Sequence, residues 1–182
     1  MWFRHTLTNQ HQLDLFLEDT FAWNKWRKQQ PEDLQIDFSG VDFVTKGGII
    51  DFSGVDLHRA CLNAVLLDLA DITGANFSQA SLRDASLHGT CLNGTWFNKA
   101  DLTNADLSDA GLQGASFDEA NLSNVCLQWA NLRGTSFVKA NLTQADFAHA
   151  DLAGSILKGA NLKGARLRDA NLKGVDFADV DL

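Results

Sequence analysis

A five-residue period governs this sequence and restricts the folds open to it. From Phe52 to Leu182 every fifth residue is large and apolar, 27 positions in succession, and the residue two places before each is small or compact, most often alanine. An α-helix repeats every 3.6 residues and a strand every two, so neither can hold all of these side chains on one side. The chain must therefore bend at regular intervals.

Each pentapeptide predicts one short side of a coil. The small and the large residue lie two apart and face inward, while the polar residue between them faces outward, as in a minimal β-segment. Eleven of the 14 glycines lie two residues after a large apolar residue. That is the third position of a four-residue turn, where a type II turn requires a positive φ. The pattern thus predicts a turn at every corner.

The spacing of phenylalanine gives the number of sides in a coil. Twenty or 40 residues separate Phe77, Phe97, Phe117, Phe137 and Phe177. Twenty residues are four pentapeptides, so we predict a square coil with these rings stacked on one side, which we call the phenylalanine face. About seven coils would follow one another at the ~4.8 Å spacing of hydrogen-bonded strands. Leucine, phenylalanine and alanine would fill the interior and leave no room for a ligand.

The run ANLSNVCLQWANLRGTSFVKANLTQADFAHADLAG follows the consensus A(D/N)LxG and resembles the pentapeptide repeat family. The resemblance covers about residues 36–182 and implies an all-β solenoid, a right-handed quadrilateral β-helix. The handedness is implied by the resemblance alone. The preceding segment resembles one found before such repeats in members from cyanobacteria, with a WNxWRxxxP pattern that is matched by Trp23, Asn24, Trp26, Arg27 and Pro31.

The chain therefore divides into an N-terminal helical cap, residues 1–35, and a β-helix, residues 36–182. An open solenoid end exposes unpaired backbone groups and core side chains, which a cap can cover. Apolar residues at roughly helical spacing between residues 9 and 29 predict one helix, with a candidate break near Asp19 and Thr20. A helix that binds a partner is the alternative to one that covers the core. The residues predicted to cover the core are Phe16, Leu17, Trp23 and Trp26.

One side of the first coil is longer than the others. Phe38 and Phe43 begin the apolar series, but nine residues separate Phe43 from Phe52, which predicts a bulge at 44–49 with four extra residues. Counting in steps of twenty places this bulge beside two outward-facing leucines. We predict that it folds back over them, with Val44 or Ile49 in contact with Leu66 and Leu69.

No pattern of catalytic or metal-binding residues stands out. The five histidines lack metal-ligand spacing, and the aspartates recur at the outward position of each pentapeptide, which favours a solvated surface over a catalytic pair. The three cysteines have no CxxC spacing and fall on different faces, so a disulfide within the chain is not expected. They are Cys61, Cys91 and Cys126. We expect no enzyme, no cofactor and no metal.

Charge and hydropathy restrict the partners. No apolar run reaches the length of a membrane span, and the first 20 residues lack a basic flank followed by an uninterrupted apolar run, so we expect no secretory leader. The few cysteines favour a reducing compartment, so we expect a cytoplasmic protein. The net charge of −8 argues against direct binding of nucleic acid or an anionic membrane. Residues 51–119 carry ten acidic and three basic residues, whereas residues 120–182 carry six and seven.

The resemblance implies a non-catalytic scaffold or protein-binding surface whose specific role is unassigned. Its partner would be another protein, bound through apolar residues at outward positions. These are Trp96, Val138 and Ile156 on the phenylalanine face, together with Trp129. The alternative is a DNA-mimicking protein that binds gyrase and confers resistance to topoisomerase poisons, as implied by the antibiotic-resistance branch of the family. The last residue, Leu182, faces inward, which suggests either a homodimer through the C-terminal coil or a longer natural chain.

Overall fold

Two helices precede the repeats. The computed structural model describes residues 3–44 and 51–182, with side chains from residue 10 onward. Helix α1 spans Phe3–Glu18 and helix α2 spans Thr20–Arg27. Asp19 separates them with an extended backbone, and its carboxylate accepts the N–H groups of Phe21 and Ala22 at 3.2 and 3.1 Å. Asp19 is thus the N-cap of α2, which explains the break at this residue.

The repeats are joined by parallel β-bridges at a spacing of 20 residues. Each outward residue at every fifth position of residues 51–161 pairs with the residue 20 places later, as Asp56 does with Asn76. The N–H of Asn76 donates to the carbonyl of Val55, and the N–H of Leu57 donates to the carbonyl of Asn76, both at 2.8 Å. Each side is a single bridge in the described residues, and four sides complete a coil.

The first coil contains four more residues than the others. Asp37 pairs with Cys61 and Asp42 with Leu66, each 24 residues later. From Asp51 onward the spacing is 20. The four extra residues therefore lie between Asp42 and Asp51, on the side where the sequence count placed them.

The predicted packing of the bulge stays a prediction. Residues 45–50, which include Ile49, lie outside the described residues. Of the residues in the described part, Val44 is 42% exposed, Leu66 38% and Leu69 63%.

Every corner has a residue with positive φ. The φ angles at every fifth position of residues 54–179 lie between 55° and 72°. The turn closes by i to i+3 hydrogen bonds such as that from the N–H of Val55 to the carbonyl of Phe52, at 3.1 Å. The predicted positive φ is confirmed, and it extends to corners without glycine, such as Arg59 and Trp129. A left-handed backbone costs a non-glycine residue about 1–2 kcal/mol, which the surrounding hydrogen bonds must offset.

Inward side chains fill the rod. The large residues of the interior coils are at most 2% exposed from residue 57 to residue 157. Four rings stack on the phenylalanine face, with centroids 4.8–5.2 Å apart and planes within 7° of parallel. They are Phe77, Phe97, Phe117 and Phe137. Phe177 lies on the same face, but Leu157 separates it from the stack. The observed stack therefore contains four of the five predicted rings.

Candidate functional site

A single aromatic ring covers the centre of the first coil. Phe16 of α1 is 3% exposed. Its ring centroid lies 5.0 Å from that of Phe38, 5.6 Å from Phe43 and 4.3 Å from Phe52, which are the first three large residues of the series. Because these rings would otherwise face water, Phe16 continues the core on the N-terminal side of the first repeat.

Two tryptophans of α2 complete this cover. Trp23 is fully buried and meets Phe16 edge-on, with centroids 5.1 Å apart. Trp26 packs on Trp23 at 5.0 Å and is partly buried against the core. Leu17, the fourth residue predicted for the cover, is 36% exposed. It follows Phe16 by one residue, about 100° further around the helix, and so points away from the core.

Polar side chains of α2 bind the backbone edge of the first coil. The Asn24 carboxamide accepts the N–H of Asp56 and donates to the carbonyl of Gly54, both at 2.8 Å. The indole N–H of Trp23 donates to the carbonyl of Asp56 at 2.8 Å. A buried backbone edge left without such partners would be strongly destabilising.

These contacts reproduce those between two coils. In the next coil, the N–H of Asn76 donates to Val55 and its carbonyl accepts from Leu57. For the first coil, Asn24 and Trp23 supply the same acceptor and donor from their side chains. The sequence pattern identified these two residues by resemblance, but it gave no indication that they replace a missing coil.

A buried arginine completes the edge. Arg27 is 2% exposed, and its Nη2 lies 3.4 Å from the carbonyl oxygen of His58 and 3.3 Å from His58 Nε2. The other ring nitrogen, Nδ1, lies 2.8 Å from a carboxylate oxygen of Asp56. The guanidinium only donates, so Nε2 must accept and Nδ1 must carry the hydrogen. Asp56 therefore orients the ring for Arg27.

The outward surface is organised by side-chain ladders. The amide of Asn141 donates to Asn121 at 3.0 Å, and the amide of Asn121 donates to Asp101 at 3.2 Å. Each amide donates toward the N-terminus, so the first member of a ladder needs only to accept, which suits a carboxylate. A second ladder on this side has the same order and runs through Asn124, Asn104 and Asp84.

Neighbouring side chains favour the ionised form of Asp101. Burial opposes ionisation of Asp101, but hydrogen bonds from Thr103 and the nearby charge of Arg83 outweigh it and hold its pKa below the ordinary value. A carboxylate so stabilised is a poor proton donor or acceptor near neutral pH. Its contacts indicate a structural role.

The cysteines are free and lie on three different sides. Cys91 is exposed, whereas Cys61 and Cys126 are partly buried. Burial raises the pKa of the Cys126 thiol, and the charges of Asp106 and Asp146 on the neighbouring coils raise it further. The thiol rather than the nucleophilic thiolate is therefore favoured at Cys126.

Residues 3–44 and 51–182 contain neither a metal-binding cluster nor a membrane-spanning helix. No group of three or more histidine, cysteine, aspartate or glutamate side chains in these ranges could hold a metal ion. No helix there is both long and apolar enough to cross a bilayer.

The four residues predicted to bind a partner do not form one patch. Trp96 is 54% exposed, Trp129 58% and Ile156 40%, while Val138 is half-buried. Trp96 and Ile156 belong to the phenylalanine face but are three coils apart. Trp129 lies two sides away, on the opposite side of the square, where its ring stacks on His149 at 4.1 Å.

Val138 and Ile156 are neighbours on the phenylalanine face. They are 18 residues apart, and Asp118 and Ser136, with the same spacing one coil earlier, are joined by a hydrogen bond. The structure therefore brings these two predicted residues together and leaves the two tryptophans separate.

Comparison with known proteins gives the family. The model for pentapeptide repeats matches in eight copies, over residues 70–98, 85–124, 126–164 and 145–182. A trypsin-treated variant of QnrB1, a plasmid-mediated fluoroquinolone resistance protein, is 22% identical, with a TM-score of 0.53 over 82% of each chain. No curated protein matches.

Two further solved structures are similar in sequence. The pentapeptide repeat protein Rfr23 from the cyanobacterium Cyanothece 51142 is 26% identical over 64% of this chain and 90% of that one, with a TM-score of 0.45. A pentapeptide repeat protein of the Arabidopsis thaliana thylakoid lumen is 33% identical over 68% and 66%, with a TM-score of 0.37. With its ladders of 20-residue spacing and the repeat matches over most of its length, this chain belongs to the pentapeptide repeat family and has the fold of a right-handed quadrilateral β-helix.

Proposed function

We propose that this protein is a non-catalytic scaffold that binds another protein in the cytoplasm. It is a rod of about seven coils, residues 36–182, closed at its N-terminus by a helical cap, residues 1–35. The observation that carries the proposal is the contrast between an interior filled by side chains and two tryptophans, Trp96 and Trp129, that are more than half exposed. Exposed tryptophan is costly to hydrate and is enriched at the energetic centres of protein interfaces.

The chemistry of the outer surface supports binding over catalysis. The carboxylate of Asp101 is held ionised by its neighbours, and the thiol of Cys126 is held protonated. A reaction would also need a concave site that excludes water from the reacting groups. In the described repeats the interior is filled by buried side chains.

The test compares the wild type with a variant that changes all four outward apolar residues. Both proteins are used for affinity capture from a lysate of the source organism, followed by mass spectrometry. We expect partners captured by the wild type to be lost from the variant at an unchanged melting temperature. An identical set of captured proteins would contradict the proposal. The changes are Trp96→Ser, Trp129→Gln, Val138→Thr and Ile156→Ser.

Mimicry of DNA is the second candidate function. It is favoured by the fold shared with QnrB1 over 82% of each chain and by the net charge of −8. On this hypothesis the protein would bind gyrase and protect it from topoisomerase poisons. A gyrase supercoiling assay with and without a quinolone tests it, and no effect at excess protein would eliminate it.

The last coil is a candidate contact for a second copy of this chain. Its apolar residues Phe177 and Leu182 are 39% and 80% exposed. Joining two such ends would cover apolar surface on both copies. Sedimentation of the full chain at micromolar concentration tests this, and a monomer would contradict it.

A further inference from the structure

A shallow trough runs along the phenylalanine face. Its outward residues are, in order along the rod, Trp96, Ser116, Ser136 and Ile156, each bridged to the next. The two ends are exposed and apolar, whereas the serines between them are small and half-buried. Three steps of the coil separate the ends, which is about 14 Å at the spacing of hydrogen-bonded strands.

One edge of the trough has no side chains. The corner that precedes this side is glycine in every coil of residues 54–174. Gly94, Gly114, Gly134 and Gly154 border the trough, and a Cβ added at any of them would meet nothing within 4 Å. A bound chain could therefore approach the floor along this edge without displacing protein atoms.

The floor already satisfies its own hydroxyl donors. The Ser116 hydroxyl donates to Asn98, and the Ser136 hydroxyl donates to Asp118. When a bound chain covers these serines, both hydroxyl protons keep their hydrogen-bond acceptors. The desolvation cost of covering the serines is therefore small.

Two lysines lie at the Ile156 end, and Asp176, which is bridged to Ile156, is one coil further on. Lys139 and Lys158 flank Val138 and Ile156, and neither forms an ion pair within the described residues. At the Trp96 end, by contrast, Lys99 lies 3.7 Å from Glu119. Two lysines without acidic partners beside an exposed apolar pair favour a partner that has both carboxylates and apolar side chains.

We propose that the trough binds an extended, acidic segment of a partner protein that carries apolar side chains four residues apart. The proposal rests on the proposed scaffold function and names the class of partner. In an extended chain, residues i and i+4 point the same way and lie about 14 Å apart, which matches the distance from Trp96 to Ile156. Residue i+2 faces the serines and must be small, while carboxylates near the second apolar residue approach Lys139 and Lys158. An α-helix, about 10 Å wide, is too broad for a floor one residue across.

The test uses a defined probe, a fluorescein-labelled peptide with the segment Leu-Glu-Ser-Glu-Leu between Gly-Ser flanks, and measures its anisotropy against the full-length protein. We expect saturable binding with a dissociation constant below about 1 mM. Trp96→Ser should weaken peptide binding about tenfold, because it removes the apolar contact at one end of the trough. The double change Lys139→Glu and Lys158→Glu should weaken it about fivefold, with a smaller dependence on salt. A peptide with lysines in place of glutamates should bind about tenfold more weakly than the acidic one.

Matched variants separate the trough from the rest of the surface. Trp129→Ser and Lys25→Glu remove an exposed tryptophan and an exposed lysine away from the trough, and should leave the affinity unchanged. Gly114→Asn should block the open edge, since Asn104 and Asn124 show that asparagine is accepted at this corner position with φ near 60°. Gly40→Asn, at a corner with equally open space, is its control. Melting temperatures confirm that every variant is folded.

The outcomes also distinguish this inference from the function on which it rests. Failure of the acidic peptide to saturate, or equal losses from Trp96→Ser and Trp129→Ser, would overturn the assignment of the trough. If the lysate capture were still lost in the variant with four outward changes, only the class of partner would be wrong. If the capture were unchanged as well, the scaffold function itself would fail.

Discussion

Two successive corners allow the cost of the left-handed backbone to be measured apart from steric contact. Gly89 and Gly94 have φ angles of 64° and 63°. A Cβ at Gly94 would meet nothing within 4 Å, whereas one at Gly89 would lie 2.8 Å from Cδ2 of Leu69. The two alanine substitutions therefore share one backbone conformation and differ in one neighbour.

We expect Gly94→Ala to lower the free energy of unfolding by about 1 kcal/mol, the cost of placing an L-residue in the left-handed region. Gly89→Ala should lower it further, by about 0.5–1.5 kcal/mol, because Leu69 must leave its rotamer. The extra cost is limited because the Leu69 side chain is 63% exposed and can move into solvent. In a chain of this length, 1 kcal/mol corresponds to a change in melting temperature of about 2–4 °C.

The assay is guanidinium unfolding followed by circular dichroism, with the melting temperature as a second measure. The slope of the free energy of unfolding against guanidinium concentration must be the same in every variant. Repeat arrays can unfold in parts, and a changed slope would indicate that they do. In the background Leu69→Ala the two glycine substitutions should cost the same, since the contact is gone. A Gly94→Ala variant as stable as the wild type, or a difference that persists without Leu69, would refute the reasoning.

Three further predictions concern the contacts of α2, the carboxylate of Asp101 and the thiols. Asn24→Ala should lower the free energy of unfolding by about 1–3 kcal/mol, because it leaves the edge of Asp56 without its partner, and it should speed hydrogen exchange of that amide. The pKa of Asp101 is lowered in the folded state, so its ionised form stabilises the fold above pH 3.8. This contribution is lost as the pH falls below that value. The free energy of unfolding of Asp101→Asn should therefore depend less on pH between about 2 and 5. Iodoacetamide should label Cys91 before Cys126 in the native protein, as followed by mass spectrometry.

Each of these has a control or a second variant within the chain. Gln10→Ala removes an exposed side chain and should not change the melting temperature or the exchange of Asp56. Thr103→Val, which removes a hydrogen bond to the Asp101 carboxylate, should also weaken the acid dependence. In denaturant the cysteines should be labelled at equal rates. Equal labelling of Cys91 and Cys126 in the native state, or an unaltered Asn24→Ala variant, would contradict the corresponding argument.

The regular part of this fold was predictable because its signals are local and repeated. The period of five, the position of glycine after each large residue and the 20-residue spacing of phenylalanine gave the corner, the four sides and the ring stack. The same count located the four extra residues before Phe52. The break at Asp19 was predictable too, because an N-cap is recognised from its own residue type.

The packing of the two N-terminal helices could not be predicted in the same detail. Its contacts join residues about 30 apart in sequence that belong to no repeat, such as Asn24 and Asp56. Helical spacing alone made Phe16 and Leu17 equally suitable as core residues, and only the position of the first coil distinguishes them. The left-handed backbone at corners such as Trp129 could not be predicted from the residue type either. The backbone hydrogen bonds between coils impose it, not the residue itself.

The direction of the ladders bears on the acidic half of the rod. Within the asparagine ladders the side-chain amides donate toward the N-terminus, so each of these ladders begins on a group that only accepts. The ladders on Asp84 and Asp101 begin within residues 51–119. Eight of the ten acidic side chains of this segment accept hydrogen bonds from the protein: Asp51, Asp56, Asp68, Asp71, Asp84, Asp101, Asp106 and Asp118.

The other two acidic side chains lie beside basic ones, Asp109 at 3.8 Å from His88 and Glu119 at 3.7 Å from Lys99. The repeat therefore accounts for where these carboxylates stand, and a DNA-like partner is not required to explain their number. The hypothesis of gyrase binding then rests on the fold shared with QnrB1 alone, and a shared fold does not imply a shared function. Negative charge therefore does not distinguish a protein-binding scaffold from a gyrase-binding protein. The supercoiling assay and the peptide assay on the phenylalanine face are the experiments that distinguish them.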